Sequence, residues 1–420
     1  MKAKYAALRG TRDLLPEEIG HWLYLEQAVR DVFGRYRFHE IRTPVLEATE
    51  LFARSVGEST DIVHKEMYTI QRGDESISLR PENTASVVRA FVQHNLHRSI
   101  ADGFPARYYY IGPMFRYERP QKGRQRQFHQ IGAEVLGSAD PLCDAETLEM
   151  LCRFLDELGI GDRELVLNSL GDPDCRSRYR AALVDWLEPR REQLCEDCRR
   201  KSADNPLRVF DCKVKEDQAL LIDAPEIASF LGDEAAEHFS AVRALLDRYG
   251  IAYRVDPRMV RGLDYYQRTV FEVVSTGLGS QNAILGGGRY DGLVRELGGP
   301  EVPGFGFAIG MERLVSLMPE DRVVAGAADL VMICLGQEGL DGGVDLARRL
   351  RAAGLNVAMP VAVRPMGAQM KRAGRTGAAF ALFVGADELE AGRFGLKNLE
   401  TGEQVTVDER ELLIRLGVNT

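Results

Sequence analysis

The chain has 420 residues, 45% of them hydrophobic and 28% charged, with a formal net charge of −9. That is the balance of a globular protein too long for one ordinary core, and it excludes disordered, collagen-like and uniformly basic nucleic-acid-coating proteins. No window is long and apolar enough for a signal peptide or a membrane span, and seven cysteines without a secretory leader argue against a disulfide framework, so a cytoplasmic protein with reduced thiols is expected.

The first predicted helix covers His21–Arg37, with Trp22, Leu25, Val29, Val32 and Tyr36 on one face and Pro16 and Glu17 at its entrance. β-type segments at Ile77–Leu79, Tyr108–Ile111 and Phe128–Leu136 are interrupted by a helical pattern at Thr84–Asn95. A helix at Asp144–Leu158 aligns Leu148, Leu151, Leu155 and Leu158 before Gly159. This reads as an α+β domain on a largely antiparallel sheet. From about Asp174 to Ala235 the chain turns helical, charged and cysteine-bearing, which reads as an insertion. Strand patterns resume at Ile251–Val255 and Thr269–Val274. A glycine-rich stretch, LGGGRYDGL, occupies 285–293, and a helix at Gly310–Met318 stops at Pro319. A boundary at Glu320–Ala328 separates residues 1–320 from residues 328–420. The latter alternate as strand Asp329–Leu335, helix Gly342–Ala353, strand Asn356–Pro360, helix Gly367–Thr376 and strand Ala378–Val384. A hairpin at Arg393–Val407 turns at Thr401-Gly402-Glu403, completing a small α/β domain.

Several stretches carry chemistry. In FHQIGAEVL, period-two geometry puts Gln130, Gly132 and Glu134 on one strand face, a polar floor suited to an amine-bearing ligand or to plain solvent. Upstream, Arg116, Arg119, Lys122, Arg124 and Arg126 surround a turn at Pro120 and Gly123. Bidentate arginine suits a phosphate that gains charge during transfer, although a basic hairpin tip would look the same. Glu82 and Thr84 in LRPENTAS point the same way if extended, or start a helix with Asn83 or Thr84 as its cap. RGLDYYQRT joins Arg261 to Tyr265 and Tyr266, and GFGFAIGMERL places Arg313 near a helix start. A second basic run, Arg348, Arg349, Arg351, Arg364, Lys371, Arg372 and Arg375, lies in the last hundred residues. Cys195 and Cys198 form a CxxC pair with Cys175 upstream and Cys212 downstream. These could hold zinc, but no second CxxC follows, and reduced thiols without metal are the expectation. No HExxH, P-loop, GxGxxG or GxSxG pattern occurs.

Taken together, LRGTRDLLP, IRTPVLE, LRPENTA, GPMFRYERPQKGRQRQFHQIGAEV, RGLDYY, GGGRYDGL and GFGFAIGMERL occur in the order seen in histidyl-tRNA synthetases, which the chain resembles over essentially its whole length. The resemblance implies a class II antiparallel-sheet catalytic domain (1–320, insertion about 174–235), a C-terminal α/β anticodon-binding domain (328–420) and a homodimer formed through the IRTPVLE segment. It implies that histidine is activated with ATP and transferred to tRNA(His). Glu82, Thr84 and Gln130 would hold the α-amino group, and Glu134 and Tyr266, with Tyr265 nearby, the imidazole. Arg116 and Arg124 would meet ATP, with Arg116 on the α-phosphate and Arg313 on the distal phosphates. Arg261 would supply the cation at the reacting phosphate. Mg2+ would arrive with the ATP phosphates rather than in a protein cage. Gln121 and Lys122 would approach the tRNA acceptor end, and Arg364 and Lys371 the anticodon stem. Asn83 stands where many relatives have a small residue.

Three other readings compete. A synthetase-like regulatory subunit of histidine biosynthesis commonly lacks the anticodon domain and RGLDYY, both present here. A proline or threonine synthetase would not place Glu134 opposite Tyr266. A non-catalytic nucleotide-binding module would not require Arg116, Arg261 and Arg313 together.

Overall fold

Apolar residues at steps of three and four make the first helix, α1 (Pro16–Arg35), which buries Trp22, Leu25, Val29, Val32 and Phe33. It ends short of the expected Arg37 because that residue adopts a left-handed φ of 62°, which turns the chain into the first strand. These details come from a computed structural model that describes residues 4–56, 60, 62–100, 103–121, 124–261, 263, 265–278, 283–319 and 328–418. The chain divides into two compact units, residues 1–14 with 22–320 and residues 15–21 with 321–420, each described by itself. Of the expected boundary at Glu320–Ala328, residues 320–327 lie outside the described residues.

In the first unit the chain continues through β1 (His39–Glu40), β2 (Leu46–Ala48), α2 (Thr49–Val56), β3 (Tyr68–Arg72), β4 (Glu75–Leu79), α3 (Thr84–Gln93), β5 (Ala106–Phe115), β6 (Gln127–Leu136), α4 (Pro141–Glu157) and β7 (Glu164–Ser169). Four helices follow: α5 (Pro173–Leu187), α6 (Glu196–Asp204), α7 (Lys215–Leu220) and α8 (Asp233–Tyr249). Then come β8 (Tyr253–Val255), β9 (Gln267–Val274), β10 (Ala283–Arg289), α9 (Leu293–Glu296), β11 (Gly304–Gly310) and α10 (Met311–Leu317). The main sheet runs β1-β5-β6-β11-β10-β9-β7-β8. Its six inner strands pair antiparallel at every boundary, and the short edge strands β1 and β8 pair parallel. A separate three-stranded sheet has the order β2-β4-β3.

One face of the main sheet is covered by helices. Phe33 of α1 meets Phe154 of α4 and Phe307 of β11 edge-on, with ring centroids 5.3 and 6.0 Å away. Arg289, fully buried at the end of β10, pairs with the equally buried Asp144 of α4, so the helix and the strand are tied by a charge pair that neither partner can leave unmatched. The helical segment runs on beyond the expected Ala235 to Tyr249, where Gly250 closes α8 with a left-handed φ of 70°. It has no core of its own: Tyr179, Leu183, Val209, Leu221 and Ile227 share one apolar cluster with Val88, Leu136 and Val270 of the sheet and α3.

The second unit contains β12 (Leu330–Cys334), α11 (Gly336–Ala352), β13 (Val357–Ala358), α12 (Met366–Ala373), β14 (Phe380–Val384), α13 (Ala386–Ala391), β15 (Phe394–Asn398), β16 (Gln404–Val407) and α14 (Glu409–Arg415). Its sheet order is β13-β12-β14-β15-β16, parallel over the first three strands and antiparallel in the hairpin. The helix α11 starts at Gly336, not at the expected Gly342. Glycine is a poor helix former, but a Cβ at Gly339 would strike the Val384 carbonyl and one at Gly342 the Leu389 side chain. The glycines are therefore what lets the helix lie this close to its neighbours. Among the described residues no helix is long and apolar enough to cross a membrane.

Candidate functional site

The sheet face turned away from α1 and α4 is reduced to glycine at several positions. Directly opposed residues form rows across it: Gly112, Gln130 and Gly310; Tyr110, Gly132, Ala308, Gly286 and Glu272; Tyr108, Glu134, Gly306, Gly288 and Val270. Larger groups fold down into the space. A Cβ at Gly112 would meet the Arg80 guanidinium, one at Gly132 the Tyr110 phenol, one at Gly286 the Arg261 guanidinium and one at Gly306 the Glu134 carboxyl.

Above this floor lies a cavity of about 480 Å³, in the range of small-molecule sites. Glu82, Thr84, Arg116, Arg124, Gln130, Arg261, Tyr265, Tyr266 and Arg313 all line it, although they come from five separate stretches of sequence. Glu134 does not. It is fully buried behind the wall, where it accepts from Thr84 Oγ1 at 2.6 Å and from the Tyr290 hydroxyl. Gln121 is exposed at a tight turn that it closes with Arg124, and Lys122 lies outside the described residues. Arg364 and Lys371 are exposed in the second unit.

One end of the cavity is acidic and amide-bearing. Glu82 accepts from the backbone N–H groups of Thr84 (2.7 Å) and Ala85 (3.0 Å), so it holds the start of α3, while Asn83 at the cap position makes no side-chain cap bond. Burial raises the Glu82 pKa, opposed by those two donors and by Arg116. Burial also pushes Glu134 up to about 8. The Thr84 and Tyr290 hydrogen bonds oppose that shift, and the neighbouring Glu82 charge adds to it. Gln130 Oε1 is buried and, among the described residues, has no hydrogen-bond partner.

The other end is cationic. Arg116 Nε donates to the Pro81 carbonyl at 2.9 Å, and its guanidinium lies 5.2 Å from the Phe128 ring centre. Arg261 pairs with Glu272 across the Gly286 gap and lies 5.8 Å from the Tyr266 ring. Burial works against its charge, but Glu272, Tyr266, Tyr265 and Asp211 outweigh it and raise its pKa. Arg313, the third residue of α10, donates to the Ala283 carbonyl. Burial and the like charges of Arg124 and Arg116 lower its pKa. Three arginines converging on one cavity repel one another until an anion sits among them.

Sequence reasoning missed Tyr290, Arg208, Glu118 and Glu312. Tyr290 stands two residues beyond Gly288, where strand alternation puts it on the cavity side with Gly286 and Gly288. Arg208 enters the wall from the helical segment, and no periodicity announces it. Glu312 accepts from the His129 N–H at 2.9 Å, and Glu118 pairs with Arg124 at 3.3 Å. Of the cysteines, Cys175 bonds elsewhere, accepting from the Gly232 N–H at 3.2 Å. Asp217, not Cys175, joins Cys195, Cys198 and Cys212.

Residues 10–314 match the family described as histidyl-tRNA synthetase, and residues 329–416 match the family described as anticodon binding domain. The chain is 48% identical to the histidine–tRNA ligase of Syntrophotalea carbinolica over 95% of both chains. It is 49% identical to that of Solidesulfovibrio magneticus over 97% of this chain and 96% of the relative. Among solved structures it resembles apo histidyl-tRNA synthetase of S. aureus, with a TM-score of 0.81 and 36% identity over 98% of this chain and 99% of the other.

Proposed function

The chain belongs to the histidyl-tRNA synthetase family, and from that premise we propose how its cavity activates histidine with ATP and passes it to tRNA. The histidine ammonium lies at the acidic end, against Glu82, Thr84 and the open acceptor Gln130 Oε1. Its imidazole faces Tyr266, Tyr265 and the buried cluster of Glu134, Thr84 and Tyr290. The observation that carries this placement is the unpartnered Gln130 acceptor at the acidic end of a cavity whose other end is lined by arginines. An amino acid with a free ammonium and carboxylate bridges two such ends.

ATP extends into the cationic end. Arg116 grips the α-phosphate with Arg124 beside it, Arg313 the distal phosphates, and Arg261 sits at the reacting centre. A carboxylate oxygen of histidine attacks the α-phosphorus in line as the bond to the β-phosphate breaks, giving histidyl-adenylate and pyrophosphate. A terminal ribose hydroxyl of tRNA(His) then attacks the acyl carbon, and AMP leaves. No protein nucleophile takes part. The acceleration comes from alignment and from cations already in place where negative charge develops. Glu66, Glu118 and Glu312 on the wall are oxygen donors that would hold a Mg2+ ion arriving with ATP, which would neutralise part of the phosphate charge.

Gln121 and Lys122 meet the acceptor end of the tRNA, and Arg364 and Lys371 the anticodon stem. The functional form is a cytoplasmic homodimer, with residues 1–320 as the catalytic domain and 328–420 as the anticodon-binding domain. Support for the dimer comes from the three-stranded sheet that includes part of IRTPVLE, where Leu46 and Ile70 are half-exposed. Light scattering that gave the mass of one chain at micromolar concentration would remove it. The activation chemistry is tested by ATP–pyrophosphate exchange with each of the twenty amino acids. Exchange with histidine alone is expected, and exchange with none, or with several, would overturn the reading.

A further inference from the structure

We propose that Cys195, Cys198, Cys212 and Asp217 bind one Zn2+ ion, which holds the helical segment in the form that presents Arg208 to the cavity. The four ligand atoms lie within 4.8 Å of one another. Cys195 Sγ and Cys212 Sγ are 3.9 Å apart, and Cys212 Sγ is 3.3 Å from Asp217 Oδ2. Tetrahedral zinc with Zn–S of about 2.3 Å and Zn–O of about 2.0 Å requires edges of about 3.8 Å between sulfurs and about 3.5 Å between sulfur and oxygen. These two separations lie within about 0.2 Å of those edges, and the 4.8 Å bound on the whole set leaves rotamer shifts of about 1 Å at most to close the site. The sulfur separation is far beyond disulfide bonding, and all seven cysteines are free.

The surrounding backbone is arranged for charged ligands. Cys195 caps α6 and accepts from the Cys198 N–H at 3.4 Å, and Cys212 accepts from the Val214 N–H at 3.4 Å. Asp217 is oriented by the Cys195 N–H, at 3.0 and 3.2 Å from its two oxygens. Donors of this kind stabilise thiolates and fix ligand direction around a metal. Cys198, Cys212 and Asp217 are buried. Three soft thiolates with one carboxylate, all buried except the half-buried Cys195, select zinc over magnesium or calcium, and binding releases the thiol protons to solvent.

The ligands come from three short elements with little regular structure between them: the start of α6, the end of a 3-10 turn at Pro206–Asp211, and α7. That turn carries Arg208, which lines the cavity, and Cys212 follows it directly. An ion held there pins both sides of the turn, adding to the buried apolar anchors Leu194, Val209 and Leu221.

Metal analysis of the untagged full-length protein tests the proposal. About one zinc per chain is expected. Replacing it with Co2+ should give thiolate-to-cobalt charge-transfer absorption and the intense visible bands of a tetrahedral site. Cys175→Ser should keep both, and Cys195→Ser should lose them. Asp217→Asn should weaken zinc affinity about tenfold or more. If Cys195→Ser fails to fold, cobalt titration of the metal-stripped wild type decides the matter alone. Metal-free protein with normal histidine-dependent exchange and freely reacting thiols would overturn the site. Equal loss of metal in Cys175→Ser would overturn the ligand set, and unchanged affinity in Asp217→Asn would overturn the carboxylate's place in it.

Discussion

The two sheets of this molecule use the same strand geometry for opposite ends. In the second unit, β12 buries both its faces: Leu330, Met332 and Cys334 join one apolar cluster, and Val331 and Ile333 another. That is the pattern of a parallel strand covered on both sides, and the groups proposed for tRNA, Arg364 and Lys371, sit on the outside. In the first unit one sheet face is packed by α1 and α4, and the opposite face is packed only in part, where α3 and the helical segment meet Leu136 and Val270. That opposite face is pared down at Gly112, Gly132, Gly286 and Gly306, so that Arg80, Tyr110, Arg261 and Glu134 can fold into it. Chemistry on small molecules needs hollow space with charges held inside, whereas recognition of a large polyanion needs charges held outside. Substitutions should therefore act differently in the two regions.

The largest effect is expected at Arg261. Arg261→Ala should lower histidine-dependent pyrophosphate exchange by about 100- to 1,000-fold, the usual cost of deleting one preorganised group at a developing charge. Exchange within tenfold of wild type would remove Arg261 from the reacting centre.

Glu134 should reveal itself in stability as well as in binding. Its folded-state pKa is raised from an ordinary 4.5 to about 8. The folded protein thus keeps a proton that the unfolded chain gives up, and the associated stability is complete below about pH 4.5 and lost as pH rises through about 8. Glu134→Gln keeps the shape and removes the titration. Between about pH 5 and pH 8 the wild type should lose about 2–4 kcal/mol of unfolding free energy relative to the variant, as read by denaturant titration. Parallel profiles would show that the carboxyl is already ionised.

The smallest effect belongs to the second unit. Arg364→Glu with Lys371→Glu should raise the KM for tRNA about tenfold, more at low salt, because phosphate contacts act through released counterions. Pyrophosphate exchange should stay unchanged. A loss of exchange in this variant would erase the contrast between the regions.

Much of this was readable in the sequence, and what was not has physical reasons. Alternation in FHQIGAEVL put Gln130, Gly132 and Glu134 on one face, and they share it. It could not show that Glu134 would be sealed off by Thr84 and Tyr290, because burial depends on what the fold lays over a strand. The helix expected from Gly342 starts at Gly336 instead, because helix propensity is local and the close packing that Gly339 permits is not. Asp217 stands beside Glu216 in VKEDQAL with nothing to single it out, and the path of the chain through 206–217 is what brings it, rather than Cys175, to the CxxC pair. Arg208 gave no signal, since a single arginine in an irregular segment has no period to reveal its direction.

Gly286 is small in order to house Arg261, and a double-mutant cycle in histidine-dependent pyrophosphate exchange tests this most directly. Gly286→Ala alone should cost about 10- to 100-fold, because a displacement of about 1 Å at a reacting centre is that expensive. In an Arg261→Ala background the same change should cost almost nothing, since the group it displaces is already gone. Losses that simply multiply, or a Gly286→Ala enzyme as active as wild type, would contradict the account.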